Sequence, residues 1–182
     1  MVSPVSEQCR LYGSAVSNGV DRSIVQELRT FAECAPAHER FEQYAEIRFV
    51  YEMLSMAGGL EKVSAVVDSW VNNEGNVSRA ARHVDRHCTL VGQALVRAFC
   101  VFRLKAFDGV QWEYLDDHGA YDKDEGEPRP QTVVFIALTR LSPQNGFFID
   151  LEPGQDVCVD SNAGLKFPPG GGGLGVCLCL NL

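Results

Sequence analysis

The sequence has no uninterrupted apolar run of the roughly 18 residues that a membrane-spanning helix needs. Its N-terminus, MVSPVSEQCRLYGSAVSNGVDRS, lacks the basic start and apolar core of a secretory signal. Both absences lead to the expectation of an intracellular, cytoplasmic chain with no membrane partner. Positive charge is also in short supply. Lys and Arg number 16 against 24 Asp and Glu, a net charge of −8, which argues against general nucleic-acid affinity because counterion release needs a basic surface. Arg79, Arg82 and Arg86 stand close together and leave room for a local contact only. Seven cysteines form no CxxC pair. Their odd number and the missing export signal point to reduced, mostly buried thiols.

What is present is ordinary globular composition. The 182 residues, 46% hydrophobic and 22% charged, suffice for one compact domain or two packed subdomains. Residues 1–20 are polar, with Pro4, Gly13 and Gly19, and read as a mobile arm. The pattern over 21–110 predicts helices. Ser23 and Gln26 make a capping box ahead of Ile24, Leu28 and Phe31. Pro36 opens a second helix through Phe41, Tyr44, Ile47, Tyr51 and Leu54, which Gly58 and Gly59 end. Leu60, Val63, Val67, Trp70 and Val71 mark a third. The strongest stripe, Val77, Ala81, Val84, Cys88, Val91, Leu95, Ala98 and Phe102, steps by four and three and predicts a long fourth helix.

Residues 111–130 read as an acidic loop. Residues 131–182 then supply short β segments, QTVVFIALTRL, FFIDLE, DVCVD and GVCLCLNL, separated by turn signals. In the last, Val176, Leu178, Leu180 and Leu182 alternate with Cys177 and Cys179. The expected fold class is therefore α+β: an N-terminal four-helix bundle-like region followed by a small antiparallel sheet packed on the helices.

Motifs for chemistry are sparse. His83 and His87 lie four apart, so a helix would place both on one face as candidate metal ligands. Third and fourth ligands would come from Cys88, Asp85, His38 or Glu42, but Cys88 belongs to the apolar stripe and Asp85 to the polar side. Val84 rules out HExxH. Boundary histidines are the preferred reading, with no metal and no cofactor expected. PPGGGG (168–173) lacks the Lys-Ser/Thr pair and following helix of a phosphate loop. DKDEG (122–126) fails the calcium-loop pattern because Val133 stands at the twelfth position. No GxSxG elbow occurs, and Cys34, near the expected second helix, has no identifiable histidine partner. No catalytic residue is assigned.

FRLKAFDGVQW (102–112) resembles a stretch of rod-shaped and flexuous plant-virus coat proteins, helical bundles in which an Arg precedes Phe-Asp or Phe-Glu near a helix end. The resemblance covers only this stretch and implies an assembly role; an Arg103–Asp108 pair closing the core is the plainer reading. With the long helix and an apolar terminal strand, it favours a non-catalytic, self-associating structural or interaction subunit over an enzyme. Association would run through Val176, Leu178, Leu180, Arg103 and Asp108, with a second copy or another protein as partner. The alternative is a small enzyme or ligand-binding domain with a site between helices and sheet using His83 and His87.

Overall fold

A computed structural model of the chain describes residues 17–36, 40–41, 48–52, 54–83, 96–114, 131–160 and 164–181. The elements are β1 (Ser17–Asn18), α1 (Arg22–Glu33), β2 (Arg40–Phe41), β3 (Phe49–Glu52), α2 (Gly59–Val71), α3 (Glu74–His83) and β4 (Val96–Leu104). They are followed by β5 (Gln111–Tyr114), β6 (Gln131–Ala137), β7 (Gln155–Asp160), β8 (Gly164–Phe167) and β9 (Leu174–Asn181). Seven strands form one antiparallel sheet in the order β1-β7-β6-β9-β4-β3-β2, and β5 pairs with β8 in a second, smaller sheet.

The two faces of the wide sheet build two separate cores. Its outer face carries Val101, Val134, Ile136, Cys158, Val176, Leu178 and Leu180, packed against Val25 and Leu28 of α1, Val66, Val67 and Trp70 of α2, and Ala80 of α3. Its inner face carries Phe102, Leu104, Val133, Phe135, Val157 and Val159, which meet Leu165 and Phe167 of the small sheet. Alternation along each strand makes this possible, since consecutive side chains point to opposite faces. A sheet covered on both sides leaves near-continuous apolar strands, and such runs are hard to tell from buried helix by periodicity.

The expected four-helix bundle is overturned. Of the four helices, the first and third are present as α1 and α2. Asp21, rather than Ser23, caps α1 by accepting from the Ser23 amide at 2.7 Å. In place of the second, residues 40–41 and 49–52 are strands paired to each other. Of the fourth, Glu74–His83 is helical as α3, but Val96–Leu104 is a strand of the wide sheet. The cause is an ambiguity of spacing. Ala98 and Phe102, four apart, share a face in a helix and in a strand alike, and β-branched and aromatic residues in VRAFCVF favour the strand. Val84, Cys88, Val91 and Leu95 lie outside the described residues.

The terminal strand is as alternating as its sequence implies, but it is central. β9 pairs with β4 on one side and β6 on the other, so Val176, Leu178 and Leu180 are buried within this chain rather than offered to another. The described part of the acidic 111–130 segment is strand β5. PPGGGG is the turn between β8 and β9, with Gly170 and Gly172 at positive φ. Among the described residues, no helix is long and apolar enough to cross a membrane.

Candidate functional site

The space between the two sheets has two ends, and the sequence treats them differently. One end is closed by Arg48, which is wholly buried. Its guanidinium donates to three backbone carbonyls: Nη1 to Lys105 at 3.0 Å and to Gly170 at 2.7 Å, and Nη2 to Pro168 at 2.7 Å. It also lies 4.9 Å from the centre of the Phe107 ring, a cation–π contact. One side chain thus ties the β4–β5 and β8–β9 connections together. Gly146 is required beside it: its φ is +87°, and a Cβ there would stand 2.9 Å from Arg48 Nη1 and from Gly170 C.

Next to this staple the interior is filled with rings. Phe135 meets Phe49, Phe102, Phe147 and Phe148 at centroid distances of 5.6–5.9 Å, mostly edge to face. Phe167 of the small sheet meets Phe49, Phe147 and Phe148 at 5.5–5.8 Å. Such pairs contribute about 0.5–1.5 kcal/mol each beyond their buried area.

Toward the other end the inner face changes from rings to thiols. Cys177 of β9 stands opposite Cys100 of β4 and Phe135 of β6, and Cys179 opposite Ala98 and Val133. These three cysteines are only partly buried, where Phe102 and Phe135 are fully so. Hydrogen bonds with the Cys100 and Cys179 side chains, followed by burial, push the Cys177 thiol well above the usual thiol range.

A polar cluster on the outer face is structural. Asp156, fully buried, accepts from Ser17 Oγ at 3.0 Å and from Arg79 Nη2 at 2.5 Å. Asn76 Nδ2 donates to the carbonyls of Gly19 at 2.9 Å and Trp70 at 3.1 Å. Together these fasten β1, α2 and α3 onto β7. Arg79, considered above as a nucleic-acid contact, is therefore turned to an internal carboxylate; Arg82 lies on α3 and Arg86 outside the described residues.

The other sequence candidates are not brought together. His83 lies on α3. His87, Cys88, Asp85, His38, Glu42 and Asp122 lie outside the described residues. Arg103 donates Nε to Glu52 Oε1 at 2.9 Å, so its ion pair is with β3; Asp108 is exposed on the β4–β5 connection. Cys34 follows the C-terminal end of α1. Sequence reasoning missed Arg48, because a charged residue inside an expected helix carries no signal of burial. It missed Cys100 as a partner of Cys177, because reading 77–102 as helix hid the strand register.

The two-sheet, helix-flanked arrangement is the double-stranded β-helix, and solved structures share it. EctD from S. alaskensis, crystallised with 2-oxoglutarate and 5-hydroxyectoine, superposes with a TM-score of 0.57 at 13% identity, over 100% of this chain and 76% of its own. A Pseudomonas putida prolyl-4-hydroxylase gives 0.55 at 14%, over 100% and 98%. CytC3 with Fe(II) and alpha-ketoglutarate gives 0.53 at 14%, over 99% and 77%. No protein-family profile matches the sequence, and no curated protein does. The expectation of a non-catalytic, self-associating assembly subunit of coat-protein type, more likely not an enzyme, is overturned by this likeness. The far part of the helix it rested on, Val96–Leu104, is a strand, the terminal strand it relied on is internal, and the proteins sharing the fold include a prolyl-4-hydroxylase.

A non-haem Fe(II) oxygenase site uses two histidines and one carboxylate on one face of the metal. Among the described residues, no group of three His, Cys, Asp or Glu could hold a metal ion, and the inner face presents Phe, Val, Leu and Cys. The described residues do not fit such a centre. His38, His87 and His118 lie outside them.

Proposed function

We propose that the chain is an enzyme of the 2-oxoglutarate-dependent oxygenase type, acting on a small organic substrate. Its site is at the end of the β-helix away from Arg48. The observation that supports this reading is the shared fold over the whole chain, including both sheets and the helical cover. The asymmetry of the interior agrees with it, because the Arg48 end is stapled shut and the cysteine end is the less buried. The reading requires two histidines and one carboxylate for the iron; the described residues supply no such group, so His87 and His118 are the histidines to test. The test is aerobic incubation with Fe(II) and 2-oxoglutarate, following succinate. Succinate formation is expected, reduced at least about a hundredfold by His118→Ala or His87→Ala, since loss of a ligand removes the metal rather than tuning it. Absence of turnover together with absence of 2-oxoglutarate binding would overturn it.

The apolar described interior favours one second reading: a ligand-binding domain that keeps the fold without the iron. It predicts 2-oxo acid or substrate binding by calorimetry that is indifferent to Fe(II) and to both histidine substitutions.

A further inference from the structure

We propose that Cys100 and Cys177 are a redox site, closing to a reversible disulfide when the protein meets hydrogen peroxide. The inference rests on strand register and stands apart from the oxygenase reading. Cys100 and Cys177 are directly opposed across the β4–β9 pair. Opposed residues of antiparallel strands have Cα atoms about 4.5 or 5.5 Å apart, according to the type of pair. Either value lies inside the roughly 4.4–6.8 Å that a disulfide spans. Both side chains project from the same face, so the bond forms without moving either strand to a new register. Cys179 is the built-in comparison. It lies two residues along the same strand from Cys177, a Cα separation of about 6.6–6.8 Å, at the far limit for a bridge. Cys158, on the opposite face of β7, is buried, whereas Cys100, Cys177 and Cys179 are partly open.

The chemistry balances with peroxide as the oxidant. The Cys100 sulfur attacks one peroxide oxygen; the S–O bond forms, the O–O bond breaks, and the departing hydroxide takes the thiol proton as water. Sulfur has lost two electrons and is a sulfenic acid. The Cys177 sulfur then attacks it, the S–S bond forms, the S–O bond breaks, and hydroxide leaves with the Cys177 proton as a second water. Cys177 takes the second role because it stands directly opposite Cys100, so its sulfur meets the sulfenic sulfur without a change of register.

The experiment treats the native full chain with stoichiometric hydrogen peroxide, blocks remaining thiols with N-ethylmaleimide, and maps the peptides by mass spectrometry. Expected is one linked pair joining positions 100 and 177, a free-thiol count lower by two per chain, and full recovery with dithiothreitol. Cys179→Ser should keep the bridge and Cys100→Ser should abolish it. An unchanged thiol count would overturn the proposal. So would bridges that pair other cysteines, or a bridge lost in Cys179→Ser and kept in Cys100→Ser.

Discussion

The two faces of the wide sheet are made from the same strands yet do different work. On the outer face Val134, Ile136, Val176, Leu178 and Leu180 pack against three helices, and the thiol of Cys158 is sealed in. On the inner face the neighbouring residues are Phe135, Cys177 and Cys179, packed by aromatic rings at one end and partly open at the other. Aliphatic side chains at consecutive outward positions suit a flat helix–sheet contact that has only to exclude water. Rings meeting edge to face fix an orientation as well, which suits a narrow space between two sheets. Stability is thus concentrated on the outer face and at the Arg48 end. The functional candidates are left to the remaining end of the inner face.

The largest effect should come from breaking the outer face at its centre. Leu180 is fully buried and flanked by β4 and β6. Leu180→Lys places an ammonium where no carboxylate receives it among the described residues, at a cost above about 4–5 kcal/mol. The expected result is loss of the cooperative unfolding transition by circular dichroism, in monomer and at every concentration. A folded variant whose only defect was a lower mass by light scattering would show instead that β9 is an edge.

The next effect sets the two faces against each other on one strand. Phe135→Ala removes the ring at the centre of the aromatic cluster and should cost about 3–5 kcal/mol, and Ile136→Ala on the other face about 2–5 kcal/mol. Urea unfolding measures both. A cost below about 1 kcal/mol at Phe135 would mean that the inner space collapses freely, and the contrast between a rigid inner and a sealed outer core would fail.

The same contrast explains what could be read in the sequence. The β6, β7 and β9 segments were legible because turn residues bound them and because the alternation of Val176, Leu178 and Leu180 with Cys177 and Cys179 is strict. α1 and α2 were legible from caps and from one-sided apolar spacing. β4 was not, because Arg97, Ala98 and Phe99 are exposed while Val101, Phe102 and Leu104 are buried, so burial changes along the strand instead of alternating, and Ala98 with Phe102 satisfies a helix equally well. Nor was β3, where four residues between undescribed segments carry too little pattern to outweigh the spacing of Ile47, Tyr51 and Leu54. The thiol pair depends on register between strands 77 positions apart in the chain, and register is a property of pairing that no single segment contains. Arg48 depends likewise on three carbonyls from two distant turns.

The smallest effect tests the sealing of the outer face through its thiol. Burial pushes Cys158 up to about 12, from an ordinary value of 9.0, with Arg79 working against the shift and Asp156 adding to it. Below pH 9 the thiol is protonated whether the chain is folded or not, so it contributes no pH dependence there. As pH rises from 9 toward 12, the unfolded chain releases this proton and the folded chain retains it, so folding loses stability with rising pH. At pH 10 the loss is about 1.4 kcal/mol, one unit of linkage. Cys158→Ala should lower stability by a nearly constant amount at neutral pH and flatten the decline between pH 9 and 11, since every other alkaline group is common to both proteins. Native Cys158 should also resist N-ethylmaleimide under conditions that modify Cys100 and Cys179. Parallel stability curves for the two proteins above pH 9 would mean that Cys158 ionises in place, and the outer face would then be no more sealed than the inner.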